Sequence, residues 1–522
     1  MSSDERSIQT DVKTNAQHLE QDVDVAKVVH ADGTVDYIDA RAVGGDFEEM
    51  PKGYFYSPQF IGTVANIEML IGANICNGIA AAGQLSFGIV LGELVPNKYR
   101  GPIISLVFFS SMPFAVFGPV IARSFIDNTA SRWRWSYFIG DILSAITLVL
   151  YFFFYHPPKY NQLHVSGKTQ WQQFKEMDFV GIFLFISGCV LFLIGLSWGG
   201  VTYPWASAQT LCTLLIGVGT LAAFGIYEGF FCKKQPLMPP RLFRNVGFVA
   251  IVFIASVGSM VYYSLTVLWP TIITTVYTTD SIKVGLQSSV VGGGVLLGQL
   301  MGGIFLSYVP KVKYQCIIVS CMVIAFITPI STLGPDTHSM VIALGVLACT
   351  CVGFIENISY PAVTLVWEPQ DIGLASGTLG SIRALAGAIA QCLYVAVLNN
   401  KLQDNMPKYV VPAATDAGLP SSSITALFSA ITAGDFSTVP GITPEIIEAV
   451  TYSLKIAYSQ SFKIVFYCTI PFSVILLISS CFVPNMEQFL STNVAKRLQG
   501  MSRKPAAAAA QDVEMQKTER AA

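Results

Sequence analysis

Two residues of opposite charge stand out because they lie where charge is costly. Glu356 falls inside the apolar run VIALGVLACTCVGFIENISYPAVTLVW, and Arg383 inside LASGTLGSIRALAGAIAQCLYVAVL. Each run is long enough to cross a bilayer as a helix, which takes about 20 residues. An ionisable group at the centre of such a helix costs roughly 2.5–3.5 kcal/mol even on an insertion scale, so it faces a partner or a water-filled path. A short polar turn, EPQDIG, joins the runs and makes them antiparallel. Glu356 lies about ten residues before that turn and Arg383 about ten after it, so at a rise of ~1.5 Å per residue they reach a similar depth. The expectation is that they border one solute pathway and pair. The alternative is a static ion pair that only fixes helix packing.

A carboxylate inside a membrane can carry a proton, so Glu356 is the first proton-coupling candidate. Asp141, in the outer third of a span at 135–155, is the second; its other reading is an interfacial carboxylate in contact with water. Asp178, Glu93 and Glu228 fall at span ends beside basic residues and read as solvated, and Glu68 sits at an irregular junction. Tyr262, Tyr263 and Trp269 are candidates to line a cavity for a bulky apolar solute, or else ordinary packing aromatics. Gly118-Pro119 is a helix-bend motif that admits a close neighbour. Gly292, Gly293, Gly294, Gly298, Gly302 and Gly303 recur in one span at four-residue spacings, which lets helices pack closely.

The elements that must hold these residues follow from composition. Of 522 residues 52% are hydrophobic and 12% charged, against ~25% charged in soluble domains. With a mean hydropathy of +0.55, this is an all-α polytopic membrane protein. The net charge of −2 leaves no basic footprint for nucleic acid. Nearly all of the 11 cysteines lie in apolar runs without C-x-x-C spacing, and the five histidines fall in tails or loops. No metal site, cofactor or enzyme motif is expected from that pattern.

Apolar runs at 67–95, 102–125, 135–155, 179–198, 207–230, 247–271, 285–308, 313–332, 340–366, 373–398 and 462–483 give about eleven spans. Residues 1–55 read as a disordered acidic tail with no signal peptide, 56–484 as the transmembrane domain and 485–522 as a disordered cytoplasmic tail. The segment 399–461 reads as a long extracellular loop with two weak amphipathic stretches. Lys98, Arg100, Lys175, Lys233, Lys234, Arg241, Arg244, Lys311 and Lys313 recur on alternate loops, which the positive-inside rule places in the cytoplasm. Arg132 and Arg134 break the pattern, and Arg123 is placed to snorkel.

Several stretches resemble the major facilitator superfamily, in particular its fourteen-span drug:proton antiporters and, within them, the fungal trichothecene efflux pump family, whose relatives include siderophore transporters. They are GELVPNKYRG at 92–101, FGPVIARSF at 117–125, WRWSYFIG at 133–140, FYHPP at 154–158, LSWGGVTYPW at 196–205, PLMPPRLFRN at 236–245 and EPQDIGLASGTLGSIRALAGAIAQ at 368–391. The Gly118-Pro119 region is similar to the antiporter signature G-x-x-x-G-P-x-x-G-G, but with Phe114, Ala122 and Arg123 at three of its glycine positions. The resemblance implies a major facilitator fold and a secondary active transporter in a multi-pass setting, in the plasma membrane or, as the alternative, a vacuolar or vesicle membrane. It implies proton-coupled efflux of a toxin or secondary metabolite by a monomer whose partners are a small solute, protons and lipid. Siderophore-iron uptake and an inactive truncated chain are the alternatives. Residues 55–66 resemble the start of the family's first helix and the next residues its fourth. By that likeness about three helices of the N-terminal bundle, with their G-x-x-x-D-R-x-G-R loop, are absent.

Overall fold

The computed structural model describes residues 25–29, 35–39, 67–85, 87–154, 170–232, 236–309, 311–367, 371–433, 436 and 439–490. The chain divides into two compact units, Met1–Ala73 and Asn74–Ala522. In the first, strands β1 (Val25–Val29) and β2 (Val35–Asp39) pair antiparallel, with Lys27 opposite Tyr37. This corrects the expectation of a structureless tail at those ten positions. Two valine-bearing runs flank HADGT, which holds the Asp-Gly pair favoured in hairpin turns. The rest of residues 1–55 lies outside the described residues.

Helix α1 (Ile67–Leu85) leads into α2 (Phe87–Leu94), α3 (Arg100–Ser110), α4 (Met112–Asn128), α5 (Arg134–Phe154) and the short α6 (Gln170–Glu176). Then come α7 (Phe179–Trp198), α8 (Ala208–Ile226), the short α9 (Pro240–Phe243), α10 (Val246–Ile272), α11 (Ser281–Tyr308) and α12 (Val312–Ile330). The chain continues with α13 (His338–Val366), α14 (Ile372–Asp416), α15 (Ile424–Ala433) and α16 (Pro444–Ser480). Among the described residues ten helical segments are long and apolar enough to cross a membrane, α3 and α4 counting as one. The eleventh expected span, 67–95, is helical in α1 and α2, but Glu68, Asn74, Asn77 and Gln84 dilute its apolar character. Four of the long helices carry a side-chain cap at or near their start. Asn245 accepts from Gly247 and Phe248 N–H, Asp280 from Ile282 and Lys283, Ser207 from Thr210 and Thr443 from Ile446.

Helix α10 is the centre of the bundle, packed against α13, α14 and α16, with 67% of its apolar window buried. Helix α11 lies between α3 and α4 on one side and α13 on the other. Its glycines make that possible. A Cβ at Gly298 would strike the Thr350 carbonyl of α13, and one at Gly302 the carbonyl of Phe354. Facing the other way, Gly292 lies on the Ala115 carbonyl of α4 and Gly303 on the Gly101 carbonyl of α3. Gly118, by contrast, has open space where a Cβ would be, so it is not the residue that admits a neighbour. That role falls to Gly285 of α11, whose Cβ position is 2.9 Å from Val120 Cα, just past Pro119 within α4.

Two boundaries differ from those read in the sequence. The segment 399–461 is largely helix. Helix α14 runs on for 45 residues, about 68 Å, more than twice the ~30 Å hydrocarbon core. Its far half, α15 and the start of α16 enclose a second small core of Val410, Ala414, Leu427, Ala430, Ile446 and Val450. Met406, Val410 and Ala414 repeat at four-residue spacing, as do Ile446, Val450 and Leu454. Polar residues end the apolar run at Asn399, yet the helical stripe continues past them. At the other end, Met486 is fully buried and Asn97 Nδ2 donates to the Phe489 carbonyl at 3.1 Å, so the packed unit extends beyond 485. Residues 491–522 lie outside the described residues.

The glycine packing makes a sharp contrast testable. Gly298→Ala drives a methyl into a helix backbone and should cost at least ~1–3 kcal/mol. Gly293→Ala, whose Cβ meets only Val116 Cγ1 at 3.7 Å, should be neutral. Thermal unfolding of the two variants in detergent checks this.

Candidate functional site

Helices α13 and α14 bring the two intramembrane charges together. Arg383 Nη2 donates to Glu356 Oε1, with Glu356 1% exposed and Arg383 8%. The second carboxylate oxygen, Oε2, accepts from Gln299 Nε2 of α11 at 3.1 Å. Arg383 Nη1 donates to the Tyr360 hydroxyl, one turn along α13 from Glu356, and the guanidinium lies 5.1 Å from that ring's centroid. Pro361 follows at once and lacks the N–H that would have bonded the Asn357 carbonyl, so the helix ladder is interrupted beside the pair.

The network continues into α3. The backbone carbonyl of Gln299 accepts from Ser105 Oγ at 2.9 Å and from Asn357 Nδ2, and Asn357 Nδ2 also donates to Ser105 Oγ at 2.9 Å. One residue of α11 therefore touches the carboxylate with its side chain and α3 with its main chain. Toward the Arg100 end of the bundle, Arg100 Nη1 donates to the Thr364 carbonyl at 3.0 Å and to Thr364 Oγ1 at 3.2 Å, near the C-terminus of α13. This corrects the reading of Arg100 as a loop charge: it is 2% exposed and caps helix carbonyls with a cation, as the helix dipole favours.

Aromatic rings flank the pair. Phe87, Phe108 and Tyr360 form a triangle with centroids 5.6–5.9 Å apart. Tyr262 and Tyr263 are half-buried with ring centroids 5.1 Å apart, and the Tyr263 ring lies directly over Gly387, one turn from Arg383. Both tyrosines thus stand beside the charged pair. Trp269 does not. It is fully buried, donates Nε1–H to the Gln287 carbonyl at 3.0 Å and packs over Gly345, so it is a core residue rather than a cavity wall.

Asp141 also lies away from the pair. It is exposed on α5, and the apolar window of Arg134–Phe153 has no buried residue. Asp178 and Glu228 overturn the solvated reading, since both are buried. The side chains of Glu68 and Glu93 lie outside the described residues. Sequence reading passed over Gln299, Ser105 and Tyr360. The available signal was an amide inside an apolar, glycine-rich run, LLGQLMGG.

The sequence model of the fungal trichothecene efflux pump family matches residues 62–519. The chain belongs to that family. It is 27% identical over 447 residues to the trichothecene efflux pump TRI12 of Fusarium sporotrichioides, spanning 84% of this chain and 74% of that one. The TRI12 pump of Trichoderma arundinaceum is 25% identical over 468 residues, 86% and 77% of the two chains. The MFS-type transporter prx5 of Penicillium rubens is 27% identical over 424 residues, 80% and 76%. Among solved structures, a bacterial homolog of the human lysosomal transporter Spinster aligns over 78% of this chain and 91% of its own, at 14% identity and TM-score 0.35. As an efflux pump family member of the major facilitator superfamily, the chain is a multi-pass membrane transporter.

Removing one member of a buried pair strands the other. Arg383→Ala should therefore destabilise the protein by about 3–5 kcal/mol. Arg383→Lys should lose less, and adding Glu356→Gln to Arg383→Ala should restore most of the loss. Melting temperatures of the purified variants, compared as a cycle, measure this.

Proposed function

We propose that this efflux pump family member exports an amphipathic small molecule in exchange for protons, with Glu356 as the proton-binding group and Arg383 as its charge partner. The observation that carries the reading is the placement of a buried ion pair within two membrane-length helices and in hydrogen-bond contact with a third. In its ionised form Glu356 holds Arg383 and Gln299. A proton arriving on the carboxylate removes the charge that holds the guanidinium, leaving Arg383 held by Tyr360 and free to shift toward the pathway. Alternating access works by rocking helix bundles about a central site. The link through Gln299 to Ser105 gives the carboxylate a direct grip on α3.

The substrate side of the proposal rests on Tyr262, Tyr263, Tyr360, Phe87 and Phe108. Aromatic faces accept a flat or bulky apolar solute, and the arginine beside them disfavours a cationic one. The names of the relatives, trichothecene pumps and MFS-type transporters, agree with export of a secondary metabolite.

A second reading has its own observation. Helix α5 has no buried residue in its apolar window and carries Asp141 exposed, which supports the expectation that helices packing against it are absent from this chain. A chain so reduced would bind in the bundle without transporting.

Reconstitution in liposomes separates the possibilities. The wild type should move an amphipathic test substrate when a pH gradient is imposed. Glu356→Gln should abolish that driven transport while retaining substrate exchange at equal pH, compared at matched amounts of reconstituted protein because the substitution strands Arg383. Unchanged driven transport in Glu356→Gln removes this residue from coupling, and an inert wild type favours the reduced-chain reading.

A further inference from the structure

Away from the central pair, two carboxylates are buried together at the foot of the α7–α8 hairpin. Asp178 precedes α7 and uses one oxygen twice: Oδ1 accepts from Gly181 N–H at 3.0 Å and from the Tyr227 hydroxyl at 3.1 Å. Glu228 lies in the π-helical turn Tyr227–Phe231 that ends α8. It too uses one oxygen twice, Oε1 accepting from Leu237 N–H at 2.8 Å and Met238 N–H at 3.4 Å. The other oxygen of each, Asp178 Oδ2 and Glu228 Oε2, is buried without a hydrogen-bond partner, in residues 5% and 6% exposed. Cys232 closes the turn, and its sulfur and one carboxylate oxygen from each acid all lie within 4.8 Å of one another.

Each acid thus keeps one buried, unbonded oxygen beside the Cys232 sulfur, a set of donors that a cation would complete. Their existing hydrogen bonds fix the direction of each carboxylate, as outer partners do behind metal ligands. A donor set of two carboxylates and one thiol is too small and too soft for Ca²⁺ or Mg²⁺, which gather six or more oxygens, and it suits an ion of the zinc type. We infer that Asp178, Glu228 and Cys232 form a binding site for a divalent transition-metal ion, with three protein ligands and one open position. Zn–O and Zn–S bonds of about 2.1 and 2.3 Å set tetrahedral ligands roughly 3.5 Å apart, so each pair of ligand atoms draws together by about 1.3 Å at most. On binding, the Cys232 thiol gives its proton to solvent and the thiolate bonds the ion, with no change of oxidation state. The bound ion ties the start of α7 to the end of α8, and so braces the hairpin that leans on α14, the helix bearing Arg383.

The test uses the purified full-length protein with its thiols reduced, and reads binding rather than transport. After incubation with Zn²⁺ and desalting, one equivalent should remain per chain and the melting temperature should rise. Co²⁺ in its place should give a thiolate-to-cobalt charge-transfer band. Cys232→Ser should remove that band and weaken Zn²⁺ binding at least tenfold, whereas Cys481→Ser should change neither. Because Asp178 also caps a helix, Cys232→Ser is the deciding variant and Glu228→Gln the second. A band that survives Cys232→Ser overturns the assignment. So does the absence of retained metal together with an infrared carboxylic-acid band that Glu228→Gln removes, which makes a shared proton the occupant. Retention seen only in Lys233→Ala/Lys234→Ala also overturns it, since a lysine ammonium then holds the place.

Discussion

The ion pair between Glu356 and Arg383 has no water to fall back on. Moving each charge out of water costs several kcal/mol, and their attraction repays that only when geometry and further hydrogen bonds are both good. The surroundings meet that demand almost completely. Gln299 takes the second carboxylate oxygen and Tyr360 a second guanidinium nitrogen, while Arg383 Nε is left buried without a partner. Because each member is intolerable alone, α13 and α14 are locked in register at this depth. Every helix that contacts them inherits the constraint.

Helix α11 shows how the bundle accommodates it. An amide can reach Glu356 only if its backbone comes unusually near α13, and glycines at 294, 298 and 302 on that side let it do so. Glycines at 292 and 303 on the opposite side bring α4 and α3 equally near. The same residue, Gln299, then joins both neighbours through different atoms. Close packing of this kind transmits displacement, because a backbone seated on a backbone has no flexible side chain to absorb it. Under the proposed cycle, a change of charge at Glu356 is felt at Ser105 through a single residue.

The outlying parts reinforce or leave bare this centre. The α7–α8 hairpin packs on α14, and its far loop reaches the same helix where Gln403 Nε2 donates to the Gly200 carbonyl at 3.4 Å. The extensions of α14 and α16 beyond bilayer length fold over a core of their own. Helix α5 is the exception, since it packs only lightly on α4. Its apolar surface is what a lipid-facing helix or a helix missing its neighbours presents.

Much of this was legible in the residues themselves. Apolar runs of bilayer length place the spans, because hydrocarbon forces every backbone group to be bonded within its own helix. Two charges equidistant from one turn predict a pair by simple helix rise, and glycines at four-residue spacing predict close helix contact. Other features depended on which segments meet in space. The partners of Glu356 on α11, the burial of Arg100 against Thr364, and the meeting of Asp178 with Glu228 join positions far apart in the chain. The burial of Trp269 and the continuation of α14 past Asn399 were decided in the same way. A local window sees a tryptophan near a span end or a polar break in a run, but not the glycine or the second core that waits opposite. Periodicity along one helix determined what could be buried; only the packing of helices against one another decided with what.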